Sequence, residues 1–205
     1  VTRGPAMTAL RDGTHALHEQ TDHAVRDGDW FSSPAAYVEL LKRNLRFHRI
    51  VESVVDPYIP DLCANGWQWR PRSPLLECDL RNLLGADPGY DAADDWSTGS
   101  LVADGRAGAV GVLYVVEGSA LGGRVLARWI QSRLGYDAVL GASSFLPYGP
   151  DPRERWRGVG LLAERTARVW PDALAAMVAA ARATFEVHAA IIGSAELARP
   201  VPAGR

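Results

Sequence analysis

The chain has 205 residues, 47% of them hydrophobic, a formal net charge of -2 and a pI near 6.2. That length and apolar content suit one domain with a sizeable core, and Lys and Arg are spread along the chain rather than clustered, which argues against nucleic acid as a partner. Cys63 and Cys78 form no CxxC, so neither a zinc site nor a disulfide framework is indicated and a reducing cytoplasm is expected. The longest apolar runs, such as residues 109–116, fall short of the roughly 20 residues a bilayer span needs, and no signal-peptide pattern opens the chain. A soluble protein with no membrane partner is therefore expected. Residues 1–6 read as an N-terminal extension, 7–194 as the domain and 195–205 as a flexible tail.

A first helix is predicted from Met7 to Asp27, with Leu10, Thr14, Leu17, Thr21 and Val25 on one stripe at helical spacing. A second starts at Ser33-Pro34 and runs to Asp56-Pro57, and Ser73-Pro74 repeats that start signal for a helix stopping at Gly85. Residues 56–72 between them read as an irregular connection. A long segment from Arg106 to Leu134 stops at Gly135. Asp151-Pro152, with Glu154 following, opens another helix, and Pro171 opens the last, which ends near Gly193. Nothing alternates like a strand, so the fold class is all-α: a single-domain bundle of six or seven helices.

The long segment contains LYVVEGSALGGRVLARWI, residues 113–130, with glycine at 118, 122 and 123 and another at 111. Each glycine costs a helix interior roughly 1 kcal/mol against alanine, so the bare backbone needs a reason. Gly111, Gly118 and Gly122 share one face, and Ser119 with Gly123 forms the adjacent row. Such a face admits a second helix at close range or a flat ligand, and Gly118-Ser119 is a place where the helix can kink. Spacing alone leaves both readings open.

Of the five histidines, His18 falls on the flank of the first helix's apolar stripe and is expected to be semi-buried. Asp22, one turn on, can then fix which imidazole nitrogen is free to bind a metal; the alternative is a core-edge histidine bonded to that carboxylate. His48 and His188 suit packing or surface equally. Glu-x-x-His occurs nowhere, which disfavours a carboxylate-bridged di-iron bundle.

LRDGTHALHEQTD, residues 10–22, resembles the first helix of the heme oxygenases, in which a leucine, a basic residue and a threonine lead into the iron-ligating histidine. GSALGGRVL, residues 118–126, resembles that family's distal helix. YVVEGSALGG is most similar to bacterial, biliverdin-producing members, including phytochrome-associated ones. AARATFEVHAAI, residues 180–191, is similar to the closing helix with its Ala-x-x-Thr-Phe pattern. The resemblance implies heme, both cofactor and substrate, between the first helix and a kinked glycine-rich distal helix. His18 would be the iron ligand, and Gly118, Ser119 and Gly122 would form the catalytic face. Gly123 and Phe185 would be further heme contacts, and Arg11 and Arg157 would face propionates, since a guanidinium pairs well with carboxylate. A further basic residue of some members is Leu161 here, and Ser119 stands where many members carry aspartate.

The implied activity is oxidative cleavage of heme to biliverdin, carbon monoxide and iron. It uses O2 and electrons from a ferredoxin or reductase, with a bacteriophytochrome as one recipient of biliverdin. The lack of histidine in residues 113–130 suits an oxygenase better than a peroxidase-like site. Two other readings are a non-catalytic heme carrier or sensor on the same fold, and a pocket for another small molecule such as a thiamin fragment. The last needs a nucleophilic cysteine, whereas Cys63 falls in the tryptophan-rich connection and Cys78 within a helix.

Overall fold

The computed structural model describes residues 4–64, 67–86, 101–149, 151–170 and 172–193. These form α1 (Pro5–Asp27), α2 (Pro34–Val55), α3 (Ile59–Ala64), α4 (Ser73–Leu84), α5 (Gly105–Leu134), α6 (Arg153–Val169) and α7 (Ala173–Gly193). Single 3-10 turns occupy Asp56–Tyr58 and Ser143–Phe145. Among the described residues no strand forms; one isolated bridge joins Asp137 and Gly141.

Sequence punctuation accounts for most boundaries. The Ser33 hydroxyl accepts from the Ala36 amide at 3.2 Å while Pro34 occupies the first turn of α2. Gly85 and Gly135 close α4 and α5 at φ of 68° and 76°, a left-handed conformation that side chains disfavour. Elsewhere tertiary contacts override local signals. α1 starts at Pro5, within the expected extension, because Ala6 is buried and Glu164 of α6 accepts from the Ala6 and Met7 amides at 3.0 and 3.2 Å. α3 appears inside the connection expected to be irregular, anchored by fully buried Leu62. Ser73 does not cap α4: the Glu52 carboxylate of α2 accepts from its amide and hydroxyl and from the Arg72 amide. Asp151 likewise accepts from the Arg153 amide and guanidinium, and α6 has no side-chain cap. Pro171, residues 1–3 of the extension and the tail at 195–205 lie outside the described residues.

α7 packs along both α1 and α5, α6 packs on α5 and α1, and α4 on α2. The apolar core falls into two clusters. One gathers Leu10, Phe47, Leu113, Met177 and Phe185; the other gathers Tyr37, Leu40, Leu45, Leu76, Leu80 and Ile130. Buried Arg43 donates to the terminal carbonyls of Ile191 and Ile192, closing the C-terminal end of α7 where backbone acceptors lack helical partners. By length and hydropathy α5 and α7 could each cross a membrane, which the count of uninterrupted apolar residues did not bring out. Here they pack against each other inside the bundle.

At Gly111 a Cβ would run into the Met177 carbonyl of α7. Both atoms belong to helical backbone, so neither yields cheaply. Gly111→Ala is expected to destabilise the fold by about 1–3 kcal/mol, a typical cost of overpacking, measured by urea denaturation.

Candidate functional site

A cavity of about 510 Å3 lies between the two core clusters, bordered by Leu40 and Leu76 of one and by Phe47, Val115 and Phe185 of the other. That volume is typical of a small-molecule or cofactor site. α1 contributes His18, Thr21, Asp22, Val25 and Arg26, and α5 contributes a continuous flank that includes Gly118, Ser119, Gly122 and Gly123. Trp156 comes from α6, Phe185 and His188 from α7, and α2 adds Leu40, Asn44, Phe47 and His48.

The four glycines divide by what a side chain would meet. Gly111 is bare so that α7 can approach. Gly123 is bare because a Cβ would strike the Phe145 carbonyl, although its main chain borders the cavity. A Cβ on Gly122 would meet nothing within 4 Å, and one on Gly118 would touch only the Trp156 ring, at 3.3 and 3.4 Å. Close backbone packing therefore explains two glycines, one against α7 and one against the 3-10 turn, and the cavity borders the two that protein packing does not require. α5 stays helical without a break through Gly118-Ser119.

His18 is not semi-buried: its side chain is 59% exposed. It stands on the cavity side of α1, at the rim of an open cleft and outside the packed core. Asp22 Oδ2 lies 3.3 Å from its Nδ1, and the Phe185 ring meets the imidazole edge-on at 5.8 Å. This leaves Nε2 as the nitrogen for a ligand.

Behind α5 is a buried polar group that sequence spacing could not assemble. Arg72 donates from Nη1 to Ser119 Oγ at 2.8 Å and from Nη2 to the Val116 carbonyl at 2.7 Å. The Ser119 hydroxyl itself donates to that carbonyl at 2.8 Å. Its only proton is thus engaged within the helix, whereas Arg72 Nε is buried without a protein partner. Glu117, fully buried, receives Arg155 Nη2 at 2.8 Å and stands 4.0 Å from Arg72. Arg155 also lies over the Trp67 ring at 3.7 Å. Burial, reinforced by the Glu117 charge, pushes the nearby Tyr148 phenol up to about 12.

His48 and His188 line the same cavity, each meeting the Phe47 ring edge-on, at ring distances of 5.2 and 4.8 Å. Both have a buried Nδ1 without a partner. Burial, then the Arg72 charge and His188, hold His48 well below 6.5; burial alone brings His188 down to about 4. Both imidazoles are neutral near pH 7.

Of the residues singled out from sequence, the cavity brings together His18, Gly118, Ser119, Gly122, Gly123 and Phe185. Arg11 and Arg157 are exposed and border none of it, and Arg157 Nε donates back to the Arg153 carbonyl. Leu161 is 61% exposed. Cys63 and Cys78 are unpaired and outside the cavity, which removes the nucleophile a thiamin-type site would need. Among the described residues no group of three or more His, Cys, Asp or Glu could hold a metal by itself.

No protein-family model matches the sequence. Over 97 residues, 47% of this chain, it is 39% identical to a heme oxygenase of Xanthomonas campestris pv. campestris, and the match spans about half (54%) of that relative. The fold superposes with a TM-score of 0.75 on the heme oxygenase of Neisseria meningitidis, solved with NO and CO bound, at 24% identity over 91% of this chain and 89% of the other. It gives the same TM-score with heme oxygenase 2 of Chlamydomonas reinhardtii, solved without heme, at 19% identity over 98% and 100%. The chain therefore has the heme oxygenase fold and is related in sequence to the heme oxygenases.

Proposed function

We propose that this chain is a heme oxygenase, which opens heme to biliverdin, carbon monoxide and iron using O2 and electrons from a ferredoxin or reductase. The observation that carries this reading is one cavity bordered by the His18 imidazole on α1 and by the bare Gly118 and Gly122 main chain on α5. The residues fit the group: an imidazole oriented by a carboxylate suits iron, and a wall without side chains suits a flat macrocycle.

Heme, when bound, supplies the redox chemistry and is itself the molecule cut. His18 would hold the iron through Nε2, with Asp22 fixing the tautomer. Gly118 and Gly122 would keep side chains off the opposite face. Leu121, Val125 and Trp156 give the lining its apolar character, which limits water around the reacting ring. Arg72, which donates to Ser119 Oγ and to the Val116 carbonyl, would hold the Ser119 end of the α5 wall in place. His48 and His188, neutral near pH 7, bring no positive charge to the lining. Passage of biliverdin to a bacteriophytochrome, and a cytoplasmic setting, belong to the same reading; the YVVEGSALGG stretch and the two unpaired cysteines support them.

Anaerobic addition of hemin is expected to give the absorption spectrum of a histidine-ligated heme, and His18→Ala to lose it; an identical spectrum in that variant refutes the ligand assignment. With O2 and ascorbate the loaded protein should yield a green biliverdin spectrum, whereas a Soret band that persists identifies a carrier. Gly122→Leu should leave urea stability unchanged or raise it by up to about 1 kcal/mol, because its Cβ meets no protein atom and leucine is the better helix former. The same variant should fail to take up or turn over hemin, and normal turnover would defeat the bare-wall argument.

The buried imidazoles give a signed pH dependence. Their folded values lie below the ordinary 6.5, so between 6.5 and about 4 the unfolded chain binds protons that the native state does not. Stability of the ligand-free protein should fall as pH falls through that window, and His188→Gln should flatten the slope of the urea midpoint against pH.

A further inference from the structure

Heme carries two carboxylates on one edge, and an apolar cleft that accepts it must pair them with cations or leave them in water. Arg11 and Arg157 border no part of the cavity. The α1 wall begins at His18 and runs toward the C-terminal end of the helix, with His18, Asp22 and Arg26 at intervals of four along one row. At about 1.5 Å per residue, Arg26 lies roughly 12 Å beyond His18 along the axis, on the side away from Arg11. Beyond α1, Phe31 meets Trp129 edge-on at 6.2 Å, and Trp129 lines the same cavity. The end of α1 and the C-terminal half of α5 therefore converge at this end of the cleft.

Among the described lining residues the cations are Arg26 and Arg72. Arg72 is buried, and its two Nη atoms bond to Ser119 and the Val116 carbonyl, whereas Arg26 is exposed at the rim. Resting on the heme reading of this cavity, we propose that Arg26 holds a propionate, so that the carboxylate edge of heme lies toward the C-terminal end of α1 and away from Arg11. Because the propionates fix how the ring is turned in its plane, Arg26 also governs which edge of the macrocycle meets Ser119 and Arg72.

The competing role for Arg26 is that of a basic residue complementing the dipole at the end of α1. Soret titrations of the full chain with hemin and with hemin dimethyl ester, whose carboxylates are neutralised, separate the two. Arg26→Gln should weaken hemin binding by about fivefold, the scale of an exposed ion pair, and leave ester binding unchanged. Arg26→Lys should recover much of the loss, added salt should narrow the difference, and Arg11→Gln should do nothing. The proposal is overturned if Arg26→Gln binds hemin as the parent does, if hemin and ester weaken equally, or if Arg11→Gln causes the larger loss. In each of those cases a His18-dependent hemin spectrum in the parent keeps the oxygenase reading intact. A parent that takes up no hemin overturns both.

Discussion

The close contact of α7 with α5 at Gly111 sets the register on which the cleft depends. Two turns separate Gly111 from Gly118 and one more reaches Gly122, so the row that admits the Met177 carbonyl at its start borders the cavity further along. A rotation of α5 by one residue would turn that row about 100° away and present Val110 or Val112 to α7 in place of Gly111. The glycines are thus one continuous strip used twice, first for a helix and then for open space. Gly123, on the adjacent row, is held separately by the 3-10 turn at Ser143–Phe145. Buried Asp79 fixes that turn by accepting from the Ser143 and Ser144 amides at 2.9 and 2.8 Å.

The polar side of the cleft rests on a second set of constraints. Glu52 holds the Arg72 backbone, and this sends the guanidinium under α5 to meet Ser119 and Val116. Two arginines face the single carboxylate of Glu117, which leaves a positive balance in a region largely removed from water. Burying such charges is costly unless their hydrogen bonds are met, and most of them are. Arg72 Nε and Glu117 Oε2 are the exceptions.

The helices were legible from the sequence where local chemistry sets the boundary, as at Ser33-Pro34, Gly85 and Gly135. They were not legible where a distant residue supplies the partner: Glu164 lengthens α1, and Glu52 displaces Ser73 as a cap. At the site, periodicity placed His18 and the glycines each on one helix face, and the resemblance to the heme oxygenases, not the spacing, gave them a role. Arg72, Glu117, Arg155, His48 and His188 could not be found, since they converge from several elements and carry no motif. The exposure of His18 was misjudged for a related reason: an apolar stripe on α1 predicts contact with the interior, and a cleft is also interior to the bundle. Arg11 and Arg157 came from resemblance alone, and the cavity extends along α1 in the other direction.

The division of the apolar core into two clusters bears on how the molecule opens. Residues such as Leu40 and Phe47 sit on the same helix yet belong to separate clusters, with the cleft at their boundary. Each cluster can fluctuate as a partly independent foldon in the ligand-free chain, and amides bordering the cleft are then drawn from the less protected end of the hydrogen-exchange range. An apolar guest touching both sides would join them into one cooperative unit, so that occupancy is felt as slowed exchange in helices that do not themselves touch it.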